Sequence, residues 1–364
     1  MLEEILKLPN GARFYRVDLH NHTPQDPAFH CAGLPVDSEE QKLAFARQYV
    51  RFARLEQGLD IICVTEHNDV SWLSYIQTAA EELNEELDQQ GKRERLVVMP
   101  GVELSAVGGR RGIHFLVLFE PGTNPNDIDH WLSSIGLLRG DRFHGDNTPK
   151  LVQKMPIELL RLGFGPYDTL RRIPLAAHAF NENGLLSGNE VAGEQRATAY
   201  NSGHLLAVEI PDKRETLSPW GKQVVNGELE TYGYKRVACL NGSAGRGLSE
   251  AQKGRLTIGA HSTRIKLGHI GVEGLRQAFI DFDSRIRLEG EIEQGTCPRL
   301  LGLVIEGGFL GGPPQSGSPD APRGPLMLHL NPNLNTVIGG RGVGKSALLE
   351  AIRYAFDLQP KSEE

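Results

Sequence analysis

Little in the sequence announces a membrane, a secretory route or a disulfide scaffold. Of 364 residues only four are cysteine: Cys31, Cys63, Cys239 and Cys297. They lie far apart and form no CxxC pair, so they read as reduced thiols of a cytoplasmic protein. Apolar runs stay short of the ~18 residues that a spanning helix needs, so no membrane span is expected. The N-terminal stretch MLEEILKLPNG is acidic and lacks the basic-then-apolar order of a signal peptide. Long basic runs are missing too, and the formal net charge is −7. A surface that tracks nucleic acid by charge alone is therefore not announced, although a local basic groove is compatible with it. No internal repeat is visible. What is there is a chain with 39% hydrophobic and 23% charged residues, ordinary for a globular protein and long enough for a buried core.

Strand-like and helix-like segments alternate along most of the chain. RFYRVDLHNH (13–22) reads as a strand, and residues 38–58 as a helix opened by Ser38 and closed by Gly58. LDIICVTEHN (59–68) is a short apolar strand, followed by a helix over 70–91 with apolar residues at helical spacing. Strands are expected at 95–106, 114–120, 173–180, 205–211 and 235–243, and a last helix at 271–282. Repeated strand–helix units predict a parallel sheet, and at this length a closed or nearly closed β/α barrel. The expected division is residues 1–290 for this barrel and 291–364 for a second unit. That second unit contains a mobile Gly/Pro/Ser-rich loop at 311–325, then strand, hairpin, strand, loop and helix.

The informative pattern is where the histidines fall. His20 and His22 end the first strand two residues apart, so in extended backbone both leave from one face and can chelate one ion. Glu66 and His67 end the next strand, Glu103 ends a third, His114 starts the one after, and His178 lies near the end of LAAHAF. In a β/α barrel such strand ends converge on one mouth. A single strand-end histidine is ordinarily a satisfied core or surface residue. Joint placement at successive strand ends points instead to a cluster for two or three metal ions.

DLHNHT, VTEHND, PGVELSA, the following His114 and AAHAF resemble the successive motifs of the PHP (polymerase and histidinol phosphatase) superfamily, over about residues 13–285. The resemblance implies a distorted β/α barrel that hydrolyses phosphate esters with Zn, Mn or Fe, in activities that include phosphatase and nuclease. Carried over, His20, His22, His67, Glu103, His114 and His178 are metal ligands, Glu103 is the bridging carboxylate, and Glu66, Glu103 and His178 take catalytic roles. Glu66 stands where the family usually has Asp. Asp26 or His30 supplies a further ligand, without a choice between them. The family's last motif, Gly-Ser-Asp-Ala-His, is altered here. Gly242-Ser243 is followed by Ala244-Gly245-Arg246, and only His261, in Gly259-Ala260-His261, restores a histidine. Metal in such a cluster lowers the pKa of bound water toward ~7 and neutralises phosphate oxygens. Arg171, Arg172, Arg246 or Lys266 are candidates to bind the phosphate, with a solvated-surface role as the ordinary alternative for each.

Near the C-terminus, Gly339-Gly340-Arg341-Gly342-Val343-Gly344-Lys345-Ser346 fits the phosphate-loop pattern GxxxxGK[ST] between an apolar strand (NTVIG) and a helix. In that pattern Gly339, Gly342 and Gly344 let the backbone cradle phosphates, Lys345 reaches them and Ser346 holds Mg²⁺, so ATP with Mg is the expected ligand. This segment resembles the start of SMC-type ATPases. The fusion looks like the TrlF-like group of PHP-ATPase proteins, which implies a setting in DNA repair or phage defence. Expected partners are a phosphate-ester substrate such as DNA or RNA, the rest of an ATPase head or a partner subunit, and further copies of the chain. Hydrolysis is weighed against a nucleotide-gated scaffold whose barrel has lost its chemistry, and an amidohydrolase-like barrel is a third reading.

Overall fold

The computed structural model describes residues 2–6, 8, 10–108, 112–187, 193–249, 254–291, 299–307, 310–312, 323–332 and 334–358. Cys297 and most of the 311–325 loop lie outside the described residues. The chain divides into two compact units, Phe14–Glu293 and Met1–Arg13 together with Gln294–Glu364. The first thirteen residues belong to the unit that holds the C-terminal segment.

The larger unit is one nine-stranded sheet. Its strands are β1 (Arg13–Asn21), β2 (Ile61–His67), β3 (Val97–Ala106), β4 (Ile113–Phe119), β5 (Arg172–Ala176), β6 (Ala207–Glu209), β7 (Ala238–Leu240), β8 (Thr263–Leu267) and β9 (Ile286–Arg287). Their order is β7-β6-β5-β4-β3-β2-β1-β8-β9. Asn241, one residue past β7, donates its N–H to Thr263 Oγ1 on β8 at 2.7 Å, so the sheet curls into a nearly closed barrel. The expectation of a parallel sheet needs one correction. β1–β2, β2–β3, β5–β6 and β6–β7 are parallel, but β4 runs antiparallel to both β3 and β5. Only six residues separate β3 from β4, too few for a helical crossover, so the chain returns directly and reverses direction.

Two hydrophobic cores follow from the period of two along each strand. Val17, Leu19, Ile61, Cys63, Met99, Leu116, Leu118, Ile173, Leu175, Ala207, Ala238, Leu240, Ile265 and Leu267 pack together, which is the barrel interior. The helix Val272–Ile280 adds Val272, Leu275, Ala278 and Phe279 to it. The other strand faces, with residues such as Val64, Val102, Phe115 and Val208, pack under the outer helices. Of these, Glu39–Arg51 starts with a capping box. Ser38 Oγ accepts from Gln41 N–H at 3.2 Å, and Gln41 Oε1 accepts from Ser38 N–H at 3.1 Å. Its last turn widens so that Gln57 N–H reaches Phe52 O, and Gly58, at φ 65°, ends it.

In the second unit β10 (Gly302–Ile305) and β11 (Leu326–His329) pair antiparallel, and the helix Lys345–Ala355 follows the glycine loop. Asn331 Nδ2 donates to Asn10 O (2.8 Å) and Ala12 O (2.7 Å), which ties in the N-terminal residues. The expected strand NTVIG does not form. Among the described residues no strand pairs with it, and Val337 and Ile338 are 47% and 91% exposed. No helix among the described residues is long and apolar enough to cross a membrane.

Candidate metal centre

The inward face of the barrel continues into the mouth at two-residue steps. Ile61 and Cys63 lead to His67, Met99 leads to Glu103, and Ala207 leads to Glu209. β4 enters from the opposite direction, so its first residues lie at the mouth. His114 stands opposite Ser105, near the end of β3. On β1 the register against β2 slips between Asp18 and Asn21. The slip hands the inward face from Leu19 to His20 and His22. Beyond β5, His178 is turned back toward the site by a left-handed backbone at φ 29°. Such a conformation in a non-glycine residue costs about 1–3 kcal/mol and is held by its surroundings. Here the His178 N–H donates to Glu209 Oε2 at 2.7 Å.

Glu103 is the hub. Its Oε2 lies 3.2 Å from His20 Nε2, 3.4 Å from His67 Nε2 and 3.6 Å from His22 Nε2. Its Oε1 lies 2.7 Å from His114 Nδ1 and 3.9 Å from His178 Nε2. Two groups of donors could each hold an ion, His20–Glu103–His178 and His22–His67–Glu103, with Glu103 common to both. His114 adjoins them, its Nδ1 3.2 Å from His178 Nε2. Every strand-end ligand expected from the sequence, from His20 through His178, therefore meets at one mouth. His261 does not belong to either group. It borders a neighbouring cavity with His178, Glu209 and Ser243, and its backbone exchanges hydrogen bonds with the Ser243 hydroxyl. Asp26 reaches the mouth, with Oδ2 3.8 Å from His22 Nδ1. His30 instead pairs its backbone with the strand-like segment at Arg246 and Gly247.

Two acids support the ligands from behind. Glu66 Oε1 accepts from the Thr23 hydroxyl at 2.5 Å and from the Thr23 N–H, and Oε2 lies 3.5 Å from His22 Nδ1. Glu209, which the motif reading missed, accepts from His20 Nδ1 at 3.0 Å. It fixes the ring so that Nε2 faces Glu103, the usual task of an outer carboxylate at a metal-binding histidine. A strand-end acid in AVE, with the parity of Glu103 in GVE, was the available signal. Gly242 passes so close that a Cβ there would meet Glu209 Oε1 at 1.9 Å.

The electrostatics are those of many imidazoles around few carboxylates. Burial alone would lower His20, but Glu209 and Glu103 on either side hold it up to about 10. Burial and the neighbouring His114 and His20 push His178 down to about 4. Burial, with the Arg246 charge, holds His22 well below the usual imidazole range. Burial opposes ionisation of Glu103, yet His67, His20 and His114 hold it well below the usual carboxylate range. Burial raises Glu66 to about 8.

A divalent cation fits this donor set. His22 is fully buried with neither ring nitrogen hydrogen-bonded, and buried His67 Nδ1 likewise has no partner. Buried polar atoms are rarely left so, because each forfeits its hydration. Histidine nitrogens with a shared carboxylate suit a divalent metal ion. The mouth opens into a cavity of about 590 Å³ lined by Glu66, His67, Glu103, His114, His178 and Arg246, with Asn181 and Asn183.

The other expected site lies in the second unit. Gly342 and Gly344 adopt left-handed backbone (φ 85° and 90°) at the start of the helix. Lys345 Nζ donates to Gly339 O at 2.8 Å and Gly340 O at 2.6 Å, folding over the loop. Ser346 is the helix's second residue.

No family model and no curated protein matches the chain. Among solved structures, similarity extends to a protein named as a metal-dependent phosphoesterase from Bifidobacterium adolescentis. The TM-score is 0.34 at 14% identity, over 66% of this chain and 92% of that one. It extends also to an amidohydrolase from Chromobacterium violaceum, with sulfate bound and no metal. There the TM-score is 0.32 at 12% identity, over 75% and 97% of the two chains. At these scores neither likeness bears on the chemistry, which rests on the geometry of the mouth.

Proposed function

We propose that the barrel is a metal-dependent phosphoesterase whose active site is the mouth built around Glu103. The single observation that carries this reading is one buried carboxylate shared by two groups of histidine donors. Cations there would supply charge against phosphoryl oxygens and lower the pKa of water. The chain's own part is to hold that arrangement. Glu103 spaces the two positions, Glu209 orients His20, and Glu66 backs His22. The cavity is of a size that takes a small ligand or one nucleotide. Asn181 and Asn183 line it as neutral donors for a substrate.

The test is metal analysis of the purified protein with a substrate panel. Manganese-loaded protein is expected to hydrolyse p-nitrophenyl phosphate, its bis-ester or a short DNA or RNA strand. His20→Ala with His22→Ala should abolish both metal and turnover. Metal-loaded protein inert on every phosphate ester would sink the proposal. The competing scaffold reading draws on the altered last motif, since Ala244 offers no ligand and His261 stands outside both donor groups. An inert protein that still binds nucleotide is its expected outcome.

For the second unit we infer a phosphate loop at residues 339–346. Lys345 folded across the carbonyls of Gly339 and Gly340 supports it, because that lysine is held where loop amides and ammonium can share an anion. Coupling of this loop to the barrel, and a role in DNA repair or phage defence, are part of the same proposal.

A further inference from the structure

The mouth carries a guanidinium that the ligand set does not use. Arg246 follows a turn at Ala244, a non-glycine residue held at φ 43°. Its side chain is only 11% exposed. Its Nε donates to Asp26 Oδ2 at 2.6 Å and its Nη1 to Ala244 O at 2.9 Å. A guanidinium has five N–H donors, so these two bonds pin the fork and leave Nη2 and one N–H of Nη1 to spare. The side chain borders both the cavity with Glu103 and His67 and the adjoining cavity of about 290 Å³ with His178 and Glu209.

A fixed positive charge beside a cluster of histidines is costly unless an anion offsets it. Asp26 makes it tolerable by standing between, 3.8 Å from His22 on one side and bonded to Arg246 on the other. What a cation cluster and a pre-set guanidinium fork attract in common is an anion with several oxygens. None of the other cations considered from the sequence, Arg171, Arg172 and Lys266, lines either cavity. Arg172 donates to Leu162 O and Leu170 O, and Lys266 lies over the Phe14 ring.

We propose that Arg246 is the phosphoryl clamp of this site, binding non-bridging oxygens of the substrate with the donors that Asp26 and Ala244 leave over. The inference rests on the phosphoesterase reading above and assigns its phosphate-binding residue.

The probe is inorganic phosphate, titrated into the manganese-loaded full chain by calorimetry and used as a competitive inhibitor. Arg246→Met should weaken phosphate roughly 10- to 100-fold, the range expected for losing charged hydrogen bonds, while manganese stoichiometry and affinity stay at the wild-type level. Arg246→Lys keeps the charge but loses the fork, so it should recover only part of the loss, mainly in KM rather than kcat. Lys at this position also guards against an Arg246→Met chain that fails to fold. Unchanged phosphate affinity in either variant overturns the proposal. So does loss of manganese from Arg246→Met, which would make Arg246 a mere support for Asp26. A wild type that takes up manganese but no phosphate also overturns it. A wild type that takes up no manganese overturns the metal reading itself.

Discussion

His20 lies between two carboxylates, its Nδ1 3.0 Å from Glu209 Oε2 and its Nε2 3.2 Å from Glu103 Oε2. One acid faces the site and the other braces the ring. Glu209→Gln should therefore keep the fold and weaken manganese binding by about 10- to 100-fold, the usual loss when an outer partner of a ligand is removed. Gly242→Ala should do the same through crowding, because its new Cβ displaces the carboxylate that holds His20. Calorimetric titration with Mn²⁺ decides both, and affinities equal to wild type would refute the bracing role.

Glu103 and His178 predict different stoichiometries. Glu103 belongs to both donor groups, so Glu103→Gln should remove all bound metal. His178 belongs to one, so His178→Ala should lose one ion and keep the other. Atomic absorption on desalted protein distinguishes these outcomes. Equal loss in the two variants would mean that the positions do not share a carboxylate.

Metal should also report on stability. Buried His22 and His67 nitrogens without partners favour any state that supplies one. At a free concentration 100 times its Kd, an ion that binds only the folded chain adds about 2.7 kcal/mol. Thermal unfolding with manganese and with a chelator should differ accordingly, and the difference should shrink in a His22→Ala, His67→Ala chain, which keeps only the His20–Glu103–His178 position. A chelator that leaves Tm unmoved in the wild type would contradict the centre.

Lys235 offers a control far from the mouth. Its ammonium donates to Tyr200 O, Ser202 O and Leu205 O at 2.6–2.8 Å, gathering carbonyls where the helix Gly193–Asn201 ends. Lys235→Met leaves those carbonyls without their donor and should cost about 1–3 kcal/mol in chemical denaturation. Manganese affinity should stay at the wild-type value. A change in affinity without a change in stability would reverse this assignment.

Most of the residues gathered at the mouth were legible because strand ends carry them and the period of two keeps them on one face. His114 was the odd member, a mouth residue at the start of a strand. It makes sense only once β4 is seen to run against β3, with His114 opposite Ser105. The short gap between the expected strands 95–106 and 114–120 leaves no room for a helical crossover, so the reversal was there to be read. Glu209 was missed because it sits outside the family's motifs, although its strand-end parity matches Glu103. That Asp26 rather than His30 reaches the mouth is a matter of tertiary contact, since Asp26 bonds Arg246, 220 residues away. NTVIG read as a strand from its apolar residues, yet a strand also needs a neighbour, and among the described residues it has none.

Asp18 has a consequence for when this centre can exist. Its buried carboxylate accepts from the N–H groups of Ser243 (3.2 Å) and Gly259 (3.0 Å) as well as His20 (3.3 Å). The first strand is thus seamed to segments synthesised more than two hundred residues later. A nascent chain holding His20, His22, His67 and Glu103 already carries most of the donors on strands that pair side by side, but not yet the N–H groups of Ser243 and Gly259 that hold Asp18. The first strand should accordingly gain its full set of hydrogen bonds only once the Gly259 segment has left the ribosome.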